Sequence, residues 1–144
     1  MKKAFTLIEL IISISIILII ISIGIFSLGS SKYYKARKDL DKIAMDIRYT
    51  RNLALANNAS AYFKLRNDNR YEIVCGNIRE LESYSEDLYL VSDNIIDLQF
   101  NRSGASSKDT AQTIYFRIKD KSYELTIEPV TGKVNLKKWK KHIS

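Results

Sequence analysis

Phe5-Thr6-Leu7-Ile8-Glu9-Leu10-Ile11-Ile12-Ser13-Ile14-Ser15-Ile16-Ile17-Leu18-Ile19-Ile20-Ile21-Ser22-Ile23-Gly24-Ile25-Phe26-Ser27-Leu28 sets one end of this chain apart from the rest. From Leu10 to Phe26 there is no charged residue. As a helix rising 1.5 Å per residue, the stretch would be about 36 Å long, more than the roughly 30 Å hydrocarbon core of a bilayer. That is too long for the apolar region of an ordinary secretory signal, and no Ala-x-Ala cleavage site follows it. The segment is expected to stay with the mature protein and to span a membrane over residues 5–29. Glu9 is its anomaly. A carboxylate near the bilayer centre costs about 2.5–3.5 kcal/mol, and less at one turn from the start of the span. Either Glu9 snorkels to the interface, or it meets a cation when helices pack side by side.

Working outward, the remaining residues are polar with short apolar alternations, so the chain divides into a membrane element and a soluble part over 30–144. The net charge of +7 is unevenly spread. Residues 1–30 carry Lys2 and Lys3 against Glu9, for +1. Residues 31–132 hold 16 basic and 15 acidic residues. Residues 133–144 carry five lysines and no acid, which gives +5. Basicity therefore belongs to the tail. Lys2 and Lys3 precede the span while Lys32, Lys35, Arg37 and Lys38 follow it, so charge alone does not orient it. Cys75 is the one cysteine and His142 the one histidine. A disulfide within the chain, a cysteine metal cluster and a histidine-based triad or metal site are thereby excluded. Cys75 follows a strand-like stretch and reads as a buried structural thiol. No cofactor is implied.

Between Tyr33 and Ala56, Ala36, Leu40, Ile43, Ala44, Ile47 and Ala54 recur at three- and four-residue spacing. This is one stripe of a helix that continues the apolar segment and stops at Asn57-Asn58. Strands are expected at Ala61–Leu65, Arg70–Cys75, Leu88–Val91, Ile95–Phe100, Thr113–Lys119, Tyr123–Glu128 and Lys133–Leu136, with a loop over Arg102–Gln112. A long helix packed on an antiparallel β-sheet domain is an α+β fold. Glu80, Glu82, Glu86 and Asp87 cluster, but they alternate with polar residues as a solvated face does. Acid/base catalysis needs carboxylates in a pocket, and no enzyme is indicated.

The N-terminal residues Lys2-Lys3-Ala4-Phe5-Thr6-Leu7-Ile8-Glu9-Leu10 and the apolar run after them resemble the signal of prepilins and pseudopilins. The resemblance implies a leader over 1–4. A prepilin peptidase would cut between Ala4 and Phe5 and methylate the amine of Phe5. Ala4 stands where the family usually has Gly, and Phe26 where many members have a kinking Pro; Gly24 and the scattered serines could still soften the helix. The family's topology puts the soluble domain outside the cytoplasm on a single-pass anchor in the cytoplasmic membrane, before transfer to an envelope or cell-surface filament. Glu9 would then neutralise the Phe5 ammonium of a neighbouring subunit, since an unpaired charge is costly in low dielectric, and the pairing would set register. The implied partners are the peptidase, other pilin or pseudopilin subunits, the inner assembly platform and, before assembly, membrane lipid.

Asp46-Ile47-Arg48-Tyr49-Thr50-Arg51-Asn52-Leu53-Ala54 and the ending Ile127-Glu128-Pro129-Val130-Thr131-Gly132-Lys133-Val134 are similar to the H-type minor pseudopilins of type II secretion (the GspH/FimT group). Competence pseudopilins share the outline. A structural subunit of a secretion, pilus or competence filament is the leading expectation. The alternative is a DNA-binding minor pilin that takes up DNA through its tail. There, Lys133, Lys137, Lys138, Lys140 and Lys141 would contact phosphates and Trp139 would stack on a base. The same residues would suit an anionic membrane surface or a frayed, solvated terminus. Some FimT-like members are associated with DNA uptake through basic C-terminal regions.

Overall fold

The computed structural model describes residues 6–92 and 95–139. The chain falls into two compact units, 1–34 and 35–144, and the helix α1, Leu7–Asn57, runs through both.

In the first unit the large side chains from Leu7 to Ile21 are all exposed, from 49% at Ile14 to 78% at Leu7. The helix therefore has an apolar surface and no core of its own. Three of its hydroxyls are nevertheless satisfied: Ser13, Ser15 and Ser22 each donate to the carbonyl four residues earlier at 2.8 Å. A serine hydroxyl closed onto its own helix needs no outside partner. The span expected at 5–29 lies partly outside the described residues. Among those described, no helix is long and apolar enough to cross a membrane.

The second unit is built on the later turns of α1. Ala36, Leu40, Ile43, Ala44, Ile47 and Ala54, the whole expected stripe, are buried, together with Thr50. Thr50 disposes of its hydroxyl as the serines do, by donating to the Asp46 carbonyl at 2.7 Å. The helix ends where Asn58 turns left-handed, at φ 47°. The Asn58 amide bonds to the Leu55 carbonyl and the Ala59 amide to the Ala54 carbonyl, the two bonds of a Schellman cap with Asn in the usual glycine position.

Eight strands follow: β1 Ala61–Leu65, β2 Arg70–Cys75, β3 Ile78–Ser83, β4 Tyr89–Leu90, β5 Ile96–Phe100, β6 Gln112–Ile118, β7 Lys121–Ile127 and β8 Val134–Trp139. They form two antiparallel four-stranded sheets, β3-β2-β1-β5 and β4-β6-β7-β8, where the sequence pattern suggested one. Alternation aims Phe63, Leu65, Tyr71, Ile73, Leu98 and Phe100 of the first sheet, and Ile114, Phe116, Ile118, Leu125 and Ile127 of the second, into the core.

Two expectations need correction. The segment 78–83 is a strand; neither of its faces is buried, so it lacks the apolar alternation of a half-buried strand. Its turn, Gly76-Asn77, joins β2 to β3 in the register Cys75↔Ile78, with Gly76 at φ +57°. A two-residue loop with a left-handed Gly first is the pattern of a type II′ hairpin. The last strand begins at Val134 and reaches Trp139, three residues beyond the expected Leu136, because pairing with β7 continues through Ser122↔Trp139.

Polar ties fasten α1 to both sheets. The Tyr71 hydroxyl donates to Asp46, and Lys42 bridges the Tyr71 hydroxyl at 3.2 Å and Glu82 at 2.7 Å. Burial first, then the bond to Asp46, pushes the Tyr71 hydroxyl well above its ordinary range. Tyr49 donates to Glu80, so two of the four clustered acids serve the helix–sheet junction. On the second sheet, the Arg37 guanidinium lies 4.9 Å from the centre of the Tyr123 ring. Cys75 is buried and free, with its thiol 3.8 Å from the Leu53 carbonyl.

Candidate assembly segment and basic strand

Thr6 precedes the first helical residue, and its hydroxyl lies 3.4 Å from the Glu9 amide while its carbonyl accepts from Glu9 and Leu10. Thr6-Leu7-Ile8-Glu9 thus occupies N-cap to N3 and has the Thr-x-x-Glu spacing of a capping box. Glu9 stands in the first turn, where the positive end of the helix dipole favours a carboxylate. This local role had not been read from the sequence, although the spacing announces it. Ala4 and Phe5 lie outside the described residues.

The basic tail is in large part ordered structure. Lys137 faces Glu124, and Lys138 faces Tyr123, across the β7–β8 ladder. Successive strand residues point to opposite sides, so Lys137 and Lys138 project from opposite faces of β8. Lysines on an edge strand also discourage pairing with another chain. Trp139 closes the strand, while Lys140, Lys141 and His142 lie outside the described residues.

A basic cleft of about 350 Å³ opens between α1 and the β7–β8 turn. Arg48 donates from Nη2 to the Val134 carbonyl at 3.0 Å, and Arg51 from Nε to the Gly104 carbonyl at 3.1 Å. The turn itself is tight: Gly132 adopts φ +62°, and a Cβ there would meet the Gly104 carbonyl oxygen at 2.4 Å and Arg51 Cδ at 2.9 Å. Glu128 braces the turn by accepting from the Thr131 hydroxyl at 2.7 Å and from Asn135 at 3.0 Å. The Thr131 hydrogen bond, followed by that of Asn135 and the charge of Lys133, holds the Glu128 carboxyl below its usual range. Among the described residues, no three His, Cys, Asp or Glu side chains are grouped to hold a metal ion.

Residues 1–29 match the prokaryotic N-terminal methylation motif. Against solved structures, the chain is similar to the type IV minor pilin FimU of Pseudomonas aeruginosa, with a TM-score of 0.58 at 15% identity over 70% of this chain and 91% of that one. The chain carries that motif and shares that fold. No curated protein matches its sequence. Glu80, Glu82 and Glu128 are engaged in bracing the helix–sheet junction and the β7–β8 turn. Sequence reasoning passed over Arg48 and Arg51 as site residues. Their spacing of three places them on one helix face, but only the fold brings the Gly132 turn against them.

Proposed function

We propose that this chain is a minor pilin or pseudopilin, anchored in the cytoplasmic membrane by the residue 5–29 span until it joins a type IV filament. The observation that carries the reading is the methylation motif over residues 1–29 joined to a chain of minor-pilin fold. In this reading a prepilin peptidase cuts between Ala4 and Phe5 and methylates Phe5. The apolar surface of Leu7–Ile21 passes from lipid to the helices of other subunits. Glu9, set in the first helical turn by the Thr6 cap, faces the Phe5 ammonium of a neighbour; two opposite charges that pair in an apolar filament core relieve a cost neither can escape alone.

Mass spectrometry of the mature protein tests the reading. The expected species begins at N-methylated Phe5. A mature chain that still begins at Met1, in cells containing the peptidase, would overturn it.

A further inference from the structure

The two arginines of the cleft are anchored but not neutralised. Each spends one N–H on a backbone carbonyl, Val134 for Arg48 and Gly104 for Arg51. Among the described residues neither guanidinium lies within ion-pair distance of a carboxylate, although Arg37, Arg66, Arg70 and Arg79 all do. The carboxylate nearest the turn, Glu128, has Thr131 on one oxygen and Asn135 on the other. Lys133 adds a third cation to the wall, beside Asn52. A guanidinium pinned by one N–H loses little further freedom when its remaining donors bind, and its planar fork matches a carboxylate.

We propose that this cleft receives a carboxylate side chain from a neighbouring subunit. The proposal rests on the filament-subunit reading for the source of that side chain, though not for the chemistry of the cleft. A protein carboxylate is favoured over nucleic acid by the lining. Single-stranded nucleic acid is held by a continuous cationic track with aromatic stacking platforms. Here the cations converge on one recess, and none of Arg48, Arg51, Asn52 or the Thr131–Val134 turn supplies an aromatic ring. Arginine is also the cation most enriched at protein interfaces.

Two measurements on the full chain test the assignment. In zwitterionic micelles, the side-chain N–H resonances of Arg48 and Arg51 are followed by NMR while N-acetylglutamate amide is added. They are expected to shift saturably, and N-acetylglutamine amide is expected to leave them in place. Lys133→Gln, which keeps both guanidinium anchors, should weaken the response, and in R48Q/R51Q, followed through the backbone amides of Gly132 and Lys133, the probe's affinity should fall by about tenfold or more. In assembled filaments, a zero-length carbodiimide should couple the Lys133 amine to an Asp or Glu of another polypeptide, and that product should fall away in R48Q/R51Q. No response to the glutamate probe, or coupling of Lys133 to Glu128 alone, overturns the proposal. So does a short single-stranded oligonucleotide that displaces the probe and binds more tightly. Absence of the chain from filaments counts against the subunit reading, while the micelle titration still decides the cleft.

Discussion

Isoleucine behaves in opposite ways in the two units of this molecule. Ile11, Ile16 and Ile20 are each more than half exposed, whereas Ile43 and Ile47, farther along the same helix, have no exposed surface. Residue type and helical state are shared; what differs is whether the chain supplies a partner. After residue 34 it folds two sheets against α1, whereas the large apolar side chains from Leu7 to Ile21 stay exposed. At about 25 cal/mol per Å² of apolar surface, such exposure in water is unfavourable. Both units treat hydroxyls alike, turning Ser13, Ser15, Ser22 and Thr50 back onto carbonyls four residues earlier.

The sharpest way to break this contrast is Glu9→Ala. It is expected to abolish incorporation into filaments while the chain still inserts in the membrane and the melting of the second unit is unchanged; immunoblotting of sheared filaments and of membranes reads the result. Next, Ile43→Ala should destabilise the second unit by about 2–5 kcal/mol in denaturant unfolding. Ile16→Ala, the matched change in the first unit, should leave that transition in place. Within the second unit, Gly132→Ala should cost about 1–3 kcal/mol, because it adds a clash with Gly104 and Arg51 to a left-handed backbone. Gly76→Ala, at a similar φ with nothing within 4 Å, should cost only about 1 kcal/mol.

A fourth prediction concerns pH. Glu72 is buried on β2, and its carboxyl is held below the usual range first by the hydrogen bond from Arg79 and then, against the opposing effect of burial, by the charges of Arg79 and Arg66. A depressed folded pKa contributes stability above the unfolded value of about 4.3, and that stability is lost as pH falls through the folded value. Glu72→Gln should therefore lower stability near neutrality, and its difference from the parent should shrink in acid. The smallest expected effect is at Lys119, a non-glycine residue at φ 52° in the β6–β7 turn. Lys119→Gly should stabilise by up to about 1 kcal/mol by relieving that strain.

Legibility in the sequence followed burial. β1 and β2 were readable to the residue, because β1 alternates over a buried face and β2 sets Tyr71, Ile73 and Cys75 on one buried face, both between clear turns. The helical stripe and its stop at Asn57-Asn58 were readable for the same reason, with a cap chemistry that Asn announces. β3 was missed because Arg79, Glu80 and Glu82 interrupt any apolar period on an edge strand; the Gly76-Asn77 hairpin signal was the available clue. The end of β8 was missed because Lys137 and Lys138 read as solvated tail, whereas edge strands carry lysine by design. Of the candidate site, Glu9 stood out as a charge in an apolar run. The Arg48 and Arg51 cleft did not, since its far wall is contributed by residues some eighty positions later.

That far wall makes the fold sensitive to its own length. Arg48 reaches the Val134 carbonyl across 86 residues of sequence, and β8 covers the flank of β7. A product truncated before Lys133 would leave Arg48 without its carbonyl seat and β7 with an open, sticky edge. Such a product would advertise its own incompleteness to proteases, so the final strand acts as a seal that only a chain carried through to Trp139 can close.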